Sequence, residues 1–368
     1  MNSNFSRIGQ GLSTGIQNIT KGSKKFDERS DSIRYGVSLG LTFIDTAENY
    51  SDGQSEELIG HAVKTIRSEV QIASKFSPEN SDFKSLIKSA ENSLRRLRTD
   101  YLDLYQIHWP NTKVQIEETL SALLKLKSDG KIKNIGVGNF SKKQLENLVN
   151  LAGEGQVFSN QVEYNIYDRY IESEILPYCI QKQIKVIAYS PLDKGRVLPA
   201  GKDYETLSII ANKYDLTIEQ LALSWVIKSP NVIAIPGTAS KIHLQENSKC
   251  LTTKILESDL QEISKFNNEP TLVFPREINV SEFGEENRNV YKTLVQAEQN
   301  LLNFCPSPVD LSLEIVQDPV IKPVRLLISK SSDNSIKFDL IEGRIRYWAW
   351  VIAFGYDKPI PAYIRNSK

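Results

Sequence analysis

The sequence has few cysteines, and it has no long apolar stretch. Only three cysteines occur among 368 residues, Cys179, Cys250 and Cys305, and no two of them form a CxxC pair. An odd number of widely separated cysteines argues against a disulfide framework and against a zinc site. We therefore expect reduced thiols and no metal site. No run of about 18 consecutive apolar residues is present, which argues against a membrane-spanning helix.

An excess of charge of one sign is also missing. Lys and Arg number 45 and Asp and Glu number 45, so no overall field attracts the chain to DNA or to an anionic membrane. The first residues lack a basic segment followed by an apolar run, the pattern of a signal peptide. With 40% hydrophobic and 24% charged residues the composition is that of a globular protein. These features predict a soluble, cytoplasmic protein with neither DNA nor a membrane as partner.

What the sequence does contain is an alternation of short apolar, β-branched runs with segments of helical period, from residue 6 to about 266. Eight such runs, each followed by a helical segment, are typical of a (β/α)8 barrel. A doubly wound open sheet is the alternative, but Gly9-Gln10-Gly11 does not continue into the GxGxxG turn typical of that fold. The eight predicted strands are roughly 7–12, 41–45, 70–75, 102–108, 132–137, 159–162, 184–190 and 232–236.

The pattern changes after Phe266. Residues 267–304 read as a linker with a polar helix from about 281 to 304. Strand-like stretches at 321–328 and 338–341 and a helical segment at 344–354 follow, which indicates a second, small α/β domain over 305–368. The predicted fold class is thus α/β, with a TIM barrel over 1–266 followed by a small α/β domain.

Polar residues follow three successive predicted strands, where the catalytic groups of such barrels lie. Asp45 ends the second strand and Tyr50 follows it, Lys75 ends the third and His108 ends the fourth. A tyrosine has a pKa of about 10, and a neighbouring ammonium group favours its phenolate, as general acid catalysis needs. A carboxylate keeps the lysine charged, and an imidazole holds a substrate oxygen while charge develops on it. We predict these four residues to be catalytic.

The segments around these residues resemble the aldo-keto reductase family. The resemblance covers about residues 6 to 266, and all four family catalytic positions are filled in order. The matching segments are Phe43-Ile44-Asp45-Thr46-Ala47-Glu48-Asn49-Tyr50, Ala73-Ser74-Lys75, Tyr105-Gln106-Ile107-His108-Trp109, Asn160-Gln161-Val162-Glu163-Tyr164-Asn165 and Ala188-Tyr189-Ser190-Pro191-Leu192.

The resemblance implies NAD(P)H-dependent reduction of an aldehyde or ketone, with sugar or sugar-derived carbonyls among the candidates and with Tyr50 as proton donor. It also implies NADP(H) as cofactor, with NAD(H) as the alternative, since His243 stands where many members have an arginine; Lys241 is a substitute cation. Asn139 and Gln161 would hold the carboxamide and Tyr189 would stack on the nicotinamide. The residues implied at the pyrophosphate and adenosine end are Ser190, Leu192, Thr238, Ser240, His243 and Asn247.

The C-terminal segment contains the run Phe338-Asp339-Leu340-Ile341-Glu342-Gly343-Arg344-Ile345-Arg346-Tyr347-Trp348-Ala349, followed by Phe354-Gly355-Tyr356 and Ile360-Pro361-Ala362-Tyr363-Ile364. These stretches resemble the N-terminal domain of ParB-type partition proteins and the related sulfiredoxin fold. In that group a Gly-x-x-Arg turn at a helix start handles nucleotide phosphates, because helix N-termini and arginine both favour anions. Gly343, Arg344 and Arg346 are the corresponding candidates for a phosphate or nucleotide site. The sulfiredoxin cysteine position is occupied by Arg344, so that chemistry is not expected.

Three functions follow from these patterns. The leading one is carbonyl reduction on the barrel. The first alternative is a cofactor-sensing regulatory or scaffold protein that keeps the four residues but turns over slowly. The second is a nucleotide-binding activity of the C-terminal domain.

Overall fold

A computed structural model describes residues 5–13, 19, 21–193, 202–266, 269–280, 290–330, 333 and 335–365. The chain divides into two compact units, residues 1–266 and 267–368. Each unit has its own sheet and its own apolar core.

The sheet of the first unit has eight parallel strands in the order β1 to β8. The first and last strands close on each other, because Ile8 pairs with Ala234 in parallel and the Gly9 N–H donates to the Ala234 carbonyl at 2.8 Å. This closed barrel confirms the predicted fold and excludes the open sheet. The strands are β1 (Gln10–Gly11), β2 (Phe43–Asp45), β3 (Gln71–Phe76), β4 (Leu104–Ile107), β5 (Ile135–Gly138), β6 (Val157–Glu163), β7 (Lys185–Tyr189) and β8 (Val232–Ala234).

Ten helices surround this barrel in the described part of the unit. The sequence pattern does not single out α1, because its buried side chains include Arg29, Ser30 and Ser32 and its apolar stripe is therefore weak. The helix begins at its cap, where the Ser23 hydroxyl accepts from the Phe26 N–H at 3.2 Å. The helices are α1 (Lys24–Ser38), α2 (Gln54–Ala62), α3 (Phe83–Leu97), α4 (Ile116–Ser128), α5 (Lys142–Ala152), α6 (Ile175–Gln181), α7 (Lys202–Lys213), α8 (Ile218–Val226), α9 (Lys241–Lys249) and α10 (Glu257–Ser264).

The second unit has a mixed five-stranded sheet in the order β10-β12-β11-β13-β9. The helix α13 coincides with the predicted segment 344–354 and packs against α12. Further elements are β9 (Thr271–Val273), β10 (Ile278–Asn279), α11 (Leu294–Glu298), α12 (Pro308–Gln317), β11 (Val324–Ile328), β12 (Phe338–Glu342), α13 (Arg344–Phe354) and β13 (Ile360–Arg365).

The stretch 267–304, predicted as a linker and helix, differs from that expectation. It supplies β9 and β10, the two edge strands of the sheet. Strands of three and two residues around Pro275 are too short to show an alternating pattern, which explains why the sequence did not reveal them. Of the helix expected from about 281 to 304, residues 294–298 are helical, and 281–289 lie outside the described residues.

Among the described residues, no helix has the length and apolar character needed to cross a lipid bilayer.

Candidate active site

The four predicted catalytic residues lie at the C-terminal ends of three neighbouring strands. Asp45 is the last residue of β2, Lys75 is the penultimate residue of β3, and His108 directly follows β4. Tyr50 lies in the turn between β2 and α2. Because the carboxyl ends of parallel barrel strands open on the same mouth, the four side chains converge there.

Lys75 and Asp45 form a buried ion pair. The Lys75 Nζ lies 2.6 Å from Asp45 Oδ1, and the two side chains are 1% and 3% exposed. The ammonium also donates to the Thr46 carbonyl at 2.8 Å. On the other carboxylate oxygen, Asp45 Oδ2 accepts from the Gln161 amide at 2.8 Å. A buried pair persists only when its remaining polar atoms are bonded in this way.

Tyr50 lies against this pair and against His108. The Lys75 Nζ is 5.0 Å from the centroid of the Tyr50 ring. The Tyr50 and His108 rings meet edge to face with centroids 5.7 Å apart. A phenol, an ammonium group and an imidazole therefore share one corner of the barrel mouth.

The protonation of these groups follows from burial and charge. Burial raises the pKa of Tyr50 above its ordinary value, and the Lys75 ammonium offsets this effect only in part. The Lys75 ammonium acts in the expected direction and favours the phenolate, but burial outweighs it, so the pKa of Tyr50 stays raised. Burial, together with the Lys75 charge, lowers the pKa of His108 to about 3. Near neutral pH the phenol holds its proton and the imidazole is neutral.

Lys75 itself stays charged. Burial alone would lower the pKa of its ammonium, but the Asp45 carboxylate and the Tyr50 phenol together outweigh burial and raise it. The positive charge is therefore kept beside the phenol over the whole working range of pH. Such a charge favours a phenolate at Tyr50 once that residue has given up its proton.

Two glutamates on either side of Tyr50 in the sequence, Glu48 and Glu56, hold the neighbouring segments in place. Glu56, which is fully buried, accepts from the Ser74 hydroxyl at 2.5 Å and from Arg96 Nε at 2.6 Å. Glu48 accepts from the Ser77 N–H at 2.6 Å. Both carboxylates are thus engaged in holding β3 and the segment after it in place.

Three residues predicted to hold the nicotinamide end line the same mouth. Asn139 follows β5 with a left-handed φ of 61°, a conformation that asparagine tolerates better than most residues. The Tyr189 hydroxyl donates to Asn139 Oδ1 at 3.0 Å, and Asn139 Nδ2 donates to the His108 carbonyl at 3.3 Å. Gln161 bonds to Asp45, Asn139 bonds to the His108 carbonyl, and Tyr189 bonds to Asn139. All three side chains are therefore connected to the catalytic corner.

The residues predicted for the adenosine end gather at the N-terminus of α9. The Ser240 hydroxyl caps this helix by accepting from the His243 N–H at 3.4 Å, and Thr238 Oγ1 lies 3.3 Å from His243 Nδ1. Asn247, 8% exposed, lies farther along the helix. A helix N-terminus flanked by hydroxyl groups suits a phosphate.

The segment after β7 holds the other two predicted contacts. Ser190 has a left-handed φ of 48°, and its carbonyl accepts from Asn165 Nδ2 at 3.2 Å. Leu192 is half-buried and packs against the apolar core of the first unit. Residues 194–201, which continue this segment, lie outside the described residues.

Arg29 of α1 supports the loop before α9, and sequence reasoning missed it. Arg29 is 5% exposed; its guanidinium donates to the Thr238 carbonyl, and burial lowers its pKa to about 10. Nearby, the Ser32 hydroxyl donates to the Ala239 carbonyl at 2.7 Å. A polar helix far away in the chain therefore fixes the loop that carries Thr238.

In the second unit, the predicted phosphate residues bond to the backbone. Gly343 is the N-cap of α13 with a φ of 96°, a conformation that favours glycine. Arg344 donates to the carbonyls of Ile341 at 3.1 Å and Leu340 at 3.0 Å. Arg346 donates to the carbonyls of Lys322 at 2.6 Å and Pro323 at 3.0 Å. Arg344 thus holds the last residues of β12, and Arg346 holds the segment that leads into β11.

Comparisons with known proteins bear on the first unit's site. Methylglyoxal reductase YeaE of Escherichia coli strain K12 is 40% identical over 235 residues, which are 64% of this chain and 82% of that protein. Glyoxal reductase of Bacillus subtilis strain 168 is 35% identical over 246 residues, 66% of this chain and 85% of that protein.

Solved structures agree with the sequence comparisons. The thermostable aldo-keto reductase Tm1743, in complex with the inhibitor epalrestat, has a TM-score of 0.67 at 38% identity and covers 71% of this chain and 95% of its own. An aldo-keto reductase of Klebsiella pneumoniae in complex with NADPH has a TM-score of 0.65 at 33% identity. The match covers 72% of this chain and 92% of that chain. The Aldo/keto reductase family itself matches residues 8–268. With that match over most of its length, this chain belongs to the aldo/keto reductase family.

Proposed function

We propose that this protein reduces the carbonyl group of an aldehyde or ketone with NAD(P)H, and that Tyr50 is the proton donor. The observation that carries this function is the buried Lys75–Asp45 pair set against a phenol that keeps its proton. The protein is accordingly an oxidoreductase, and the paragraphs below assign a role to each residue.

Each side chain has one task in this reaction. The substrate oxygen lies between Tyr50 and His108, where the neutral imidazole donates a hydrogen bond to it. Tyr50 gives its proton to that oxygen as the carbonyl becomes an alcohol. Lys75 stabilises the phenolate that remains, and Asp45 keeps Lys75 in place. A nicotinamide cofactor held by Asn139, Gln161 and Tyr189 would supply the hydride for the carbonyl carbon.

The side chains around the catalytic corner fit such a cofactor. The amides of Asn139 and Gln161 match a carboxamide, and the Tyr189 ring offers a face for the nicotinamide. His108 Nδ1 is buried without a hydrogen-bond partner among the described residues, which leaves a polar atom for a bound molecule to satisfy. The hydroxyls of Ser190, Thr238 and Ser240 suit the phosphates.

We assign NADP(H) as the preferred cofactor, as in the Klebsiella pneumoniae relative whose structure contains NADPH. Lys241 lies in the first turn of α9 and is exposed, with its ammonium 5.6 Å from the centroid of the Tyr35 ring. From this position the side chain can turn to a 2′-phosphate beside His243. Fluorescence titration should show NADPH binding more tightly than NADH. Lys241→Ala should weaken NADPH binding about tenfold, the effect of one hydrogen bond to a charged group, and leave NADH binding unchanged.

Lys249→Ala is the matched control for this titration, because Lys249 is an exposed lysine in the last turn of the same helix. It should alter neither affinity. Equal loss of NADPH and NADH binding in Lys241→Ala would show that the lysine does not recognise the 2′-phosphate.

For the substrate we propose a small 2-oxoaldehyde, since two relatives are named methylglyoxal and glyoxal reductase. Loss of NADPH absorbance with methylglyoxal, glyoxal and an aldose sugar tests this choice. Faster turnover of the two dicarbonyls supports it, and turnover of the aldose alone would assign a sugar substrate. Tight NADPH binding with no turnover of any carbonyl would favour the cofactor-sensing alternative.

For the second unit we propose that residues 267–368 form a separate domain in which Arg344 and Arg346 have a structural role. Its likeness to the ParB and sulfiredoxin fold remains a prediction. Arg346→Ala removes the donor of two backbone carbonyls and should destabilise this unit by about 1–3 kcal/mol. Calorimetry measures the loss.

Arg276→Ala is the control, because Arg276 and its partner Asp357 form a salt bridge at the surface, and such pairs contribute little. Titration of the same proteins with CTP and ATP tests the alternative. Nucleotide binding by the wild type that disappears in Arg346→Ala would contradict the purely structural role.

A further inference from the structure

Gln106 is a polar residue in the barrel interior with no part in the reaction described so far. It lies in β4 and is fully buried. Its Nε2 is 3.4 Å from Asp45 Oδ2, and its Oε1 accepts from the Ser159 hydroxyl of β6, also at 3.4 Å. The amide therefore bridges the catalytic carboxylate to the opposite side of the barrel.

The position of Gln106 in β4 places it directly below the reaction site. Alternate strand residues share a face, so Leu104, Gln106 and His108 point the same way. Leu104 belongs to the apolar cluster that fills the barrel interior. Gln106 thus lies between that apolar cluster and the catalytic imidazole.

The barrel makes room for this side chain on the neighbouring strand. A Cβ on Gly136 of β5 would lie 2.9 Å from Gln106 Cγ and 2.5 Å from Ser159 Oγ. Any larger residue at position 136 would therefore displace the amide or its partner. The glycine keeps a space that Gln106 and Ser159 share with Leu104, whose Cδ1 would lie 3.0 Å from such a Cβ.

Stability alone does not explain a glutamine here. Burying an amide is unfavourable unless it makes good hydrogen bonds, and both bonds of Gln106 are long. A leucine would extend the apolar cluster below it at lower cost. The contact of the amide with the carboxylate of Asp45 explains why a glutamine is present.

Asp45 is consequently fixed from both sides. Its Oδ1 accepts from Lys75 at 2.6 Å, and its Oδ2 accepts from Gln161 at 2.8 Å and faces Gln106. Donors on both oxygens prevent the carboxylate from rotating away from the ammonium.

We propose that Gln106 is a positioning residue for the reduction, acting through Asp45 to hold Lys75 beside Tyr50. This inference rests on the proposed function. The other titratable groups at this site are Tyr50 and His108, together with Glu163, a buried residue on the same face of β6 as Gln161.

Gln106→Leu tests the proposal in the full-length protein with NADPH and methylglyoxal. We expect kcat to fall about tenfold, because Asp45 and Lys75 are held less firmly, whereas the Kd for NADPH stays within about twofold. Gln71→Leu is the matched control: Gln71 is the first residue of β3, and its Oε1 accepts from Thr42 at 2.9 Å, away from the catalytic corner. Its kcat should equal that of the wild type.

Gln106→Glu adds a readout that a packing role would not change. Two carboxylates at this distance share a proton, and the protonated glutamate can still donate to Asp45 Oδ2. As the pH rises and the second carboxylate ionises, that donor is lost and a charge repels Asp45. The variant should therefore approach wild-type kcat at low pH and lose activity with rising pH over a range in which the wild type is constant.

The outcomes separate this proposal from the function on which it rests. Absence of carbonyl reduction by the wild type would contradict both. Wild-type turnover with kcat within twofold in Gln106→Leu, or with an unchanged pH profile in Gln106→Glu, overturns the positioning role alone. If the leucine variant does not fold, the pH profile of the glutamate variant decides.

Discussion

Tyr50→Phe is expected to lower kcat for carbonyl reduction about 10³-fold while the Kd for NADPH changes by less than about twofold. A positioned general acid contributes about 10² to 10⁴ in rate, and this substitution removes only the hydroxyl that carries the proton. The ring remains edge to face with His108 at 5.7 Å and beside Lys75 at 5.0 Å, so the shape of the mouth is kept. Steady-state kinetics and a fluorescence titration of the same protein measure the two quantities.

The matched control for this variant is Tyr105→Phe. Tyr105 lies in β4 and is fully buried, and its hydroxyl contacts the Ser89 hydroxyl at 3.1 Å, outside the catalytic corner. The same chemical change there should leave kcat unaltered. An active Tyr50→Phe enzyme would assign the proton to another donor, and it would leave the raised pKa of Tyr50 without a role in the reaction.

The neutral imidazole makes the contribution of His108 to this mechanism independent of pH near neutrality. Burial and the Lys75 charge place the pKa of His108 at about 3, so the ring does not gain a proton between about pH 5 and 8. The hydrogen bond that it donates to the substrate oxygen is therefore constant over this range. Any change in rate there must come from groups other than His108.

Much of this site was predictable from sequence, because its residues follow strands at a regular interval. Asp45, Lys75 and His108 each follow a short apolar run, and the geometry of parallel strands in a barrel then brings them to one mouth. The barrel itself follows from eight such runs. Local patterns along the chain were sufficient for these conclusions.

What the sequence could not reveal depends on contacts between distant segments. Arg29 lies in a polar helix without a clear apolar stripe, and its carbonyl partner Thr238 is 209 positions away. Gln106 looks like an ordinary strand residue until its contact with Asp45 is seen. The pKa of Tyr50 depends on how deeply the phenol is buried, and the presence of a lysine nearby in sequence carries no information about that depth.

The pair of Asp45 and Lys75 serves the fold and the reaction in different ways, and substitutions can separate the two. Lys75→Met leaves the Asp45 carboxylate buried without its cation, and Asp45→Asn leaves the ammonium without its anion. Breaking a buried pair in this way destabilises a protein by about 3–5 kcal/mol. We expect each single variant to lose that much stability and to lose kcat by at least about 10²-fold.

The double variant, Asp45→Asn with Lys75→Met, removes both charges together. No unpaired charge then remains in the core. The double variant should therefore lose much less stability than the sum of the two single losses. Its kcat should stay low, because no ammonium is left to stabilise the phenolate of Tyr50. Calorimetry measures stability from the unfolding transition whose temperature NADPH raises, and steady-state kinetics measure kcat.

This double-mutant cycle distinguishes a catalytic lysine from a structural one. If Lys75 only filled space and balanced charge, the double variant would regain activity together with stability. Stability that recovers without activity requires that the charge itself acts on Tyr50. Strictly additive losses of stability would instead show that the 2.6 Å contact between Lys75 and Asp45 does not couple the two residues, and the proposed role of Asp45 in holding the ammonium would then be wrong.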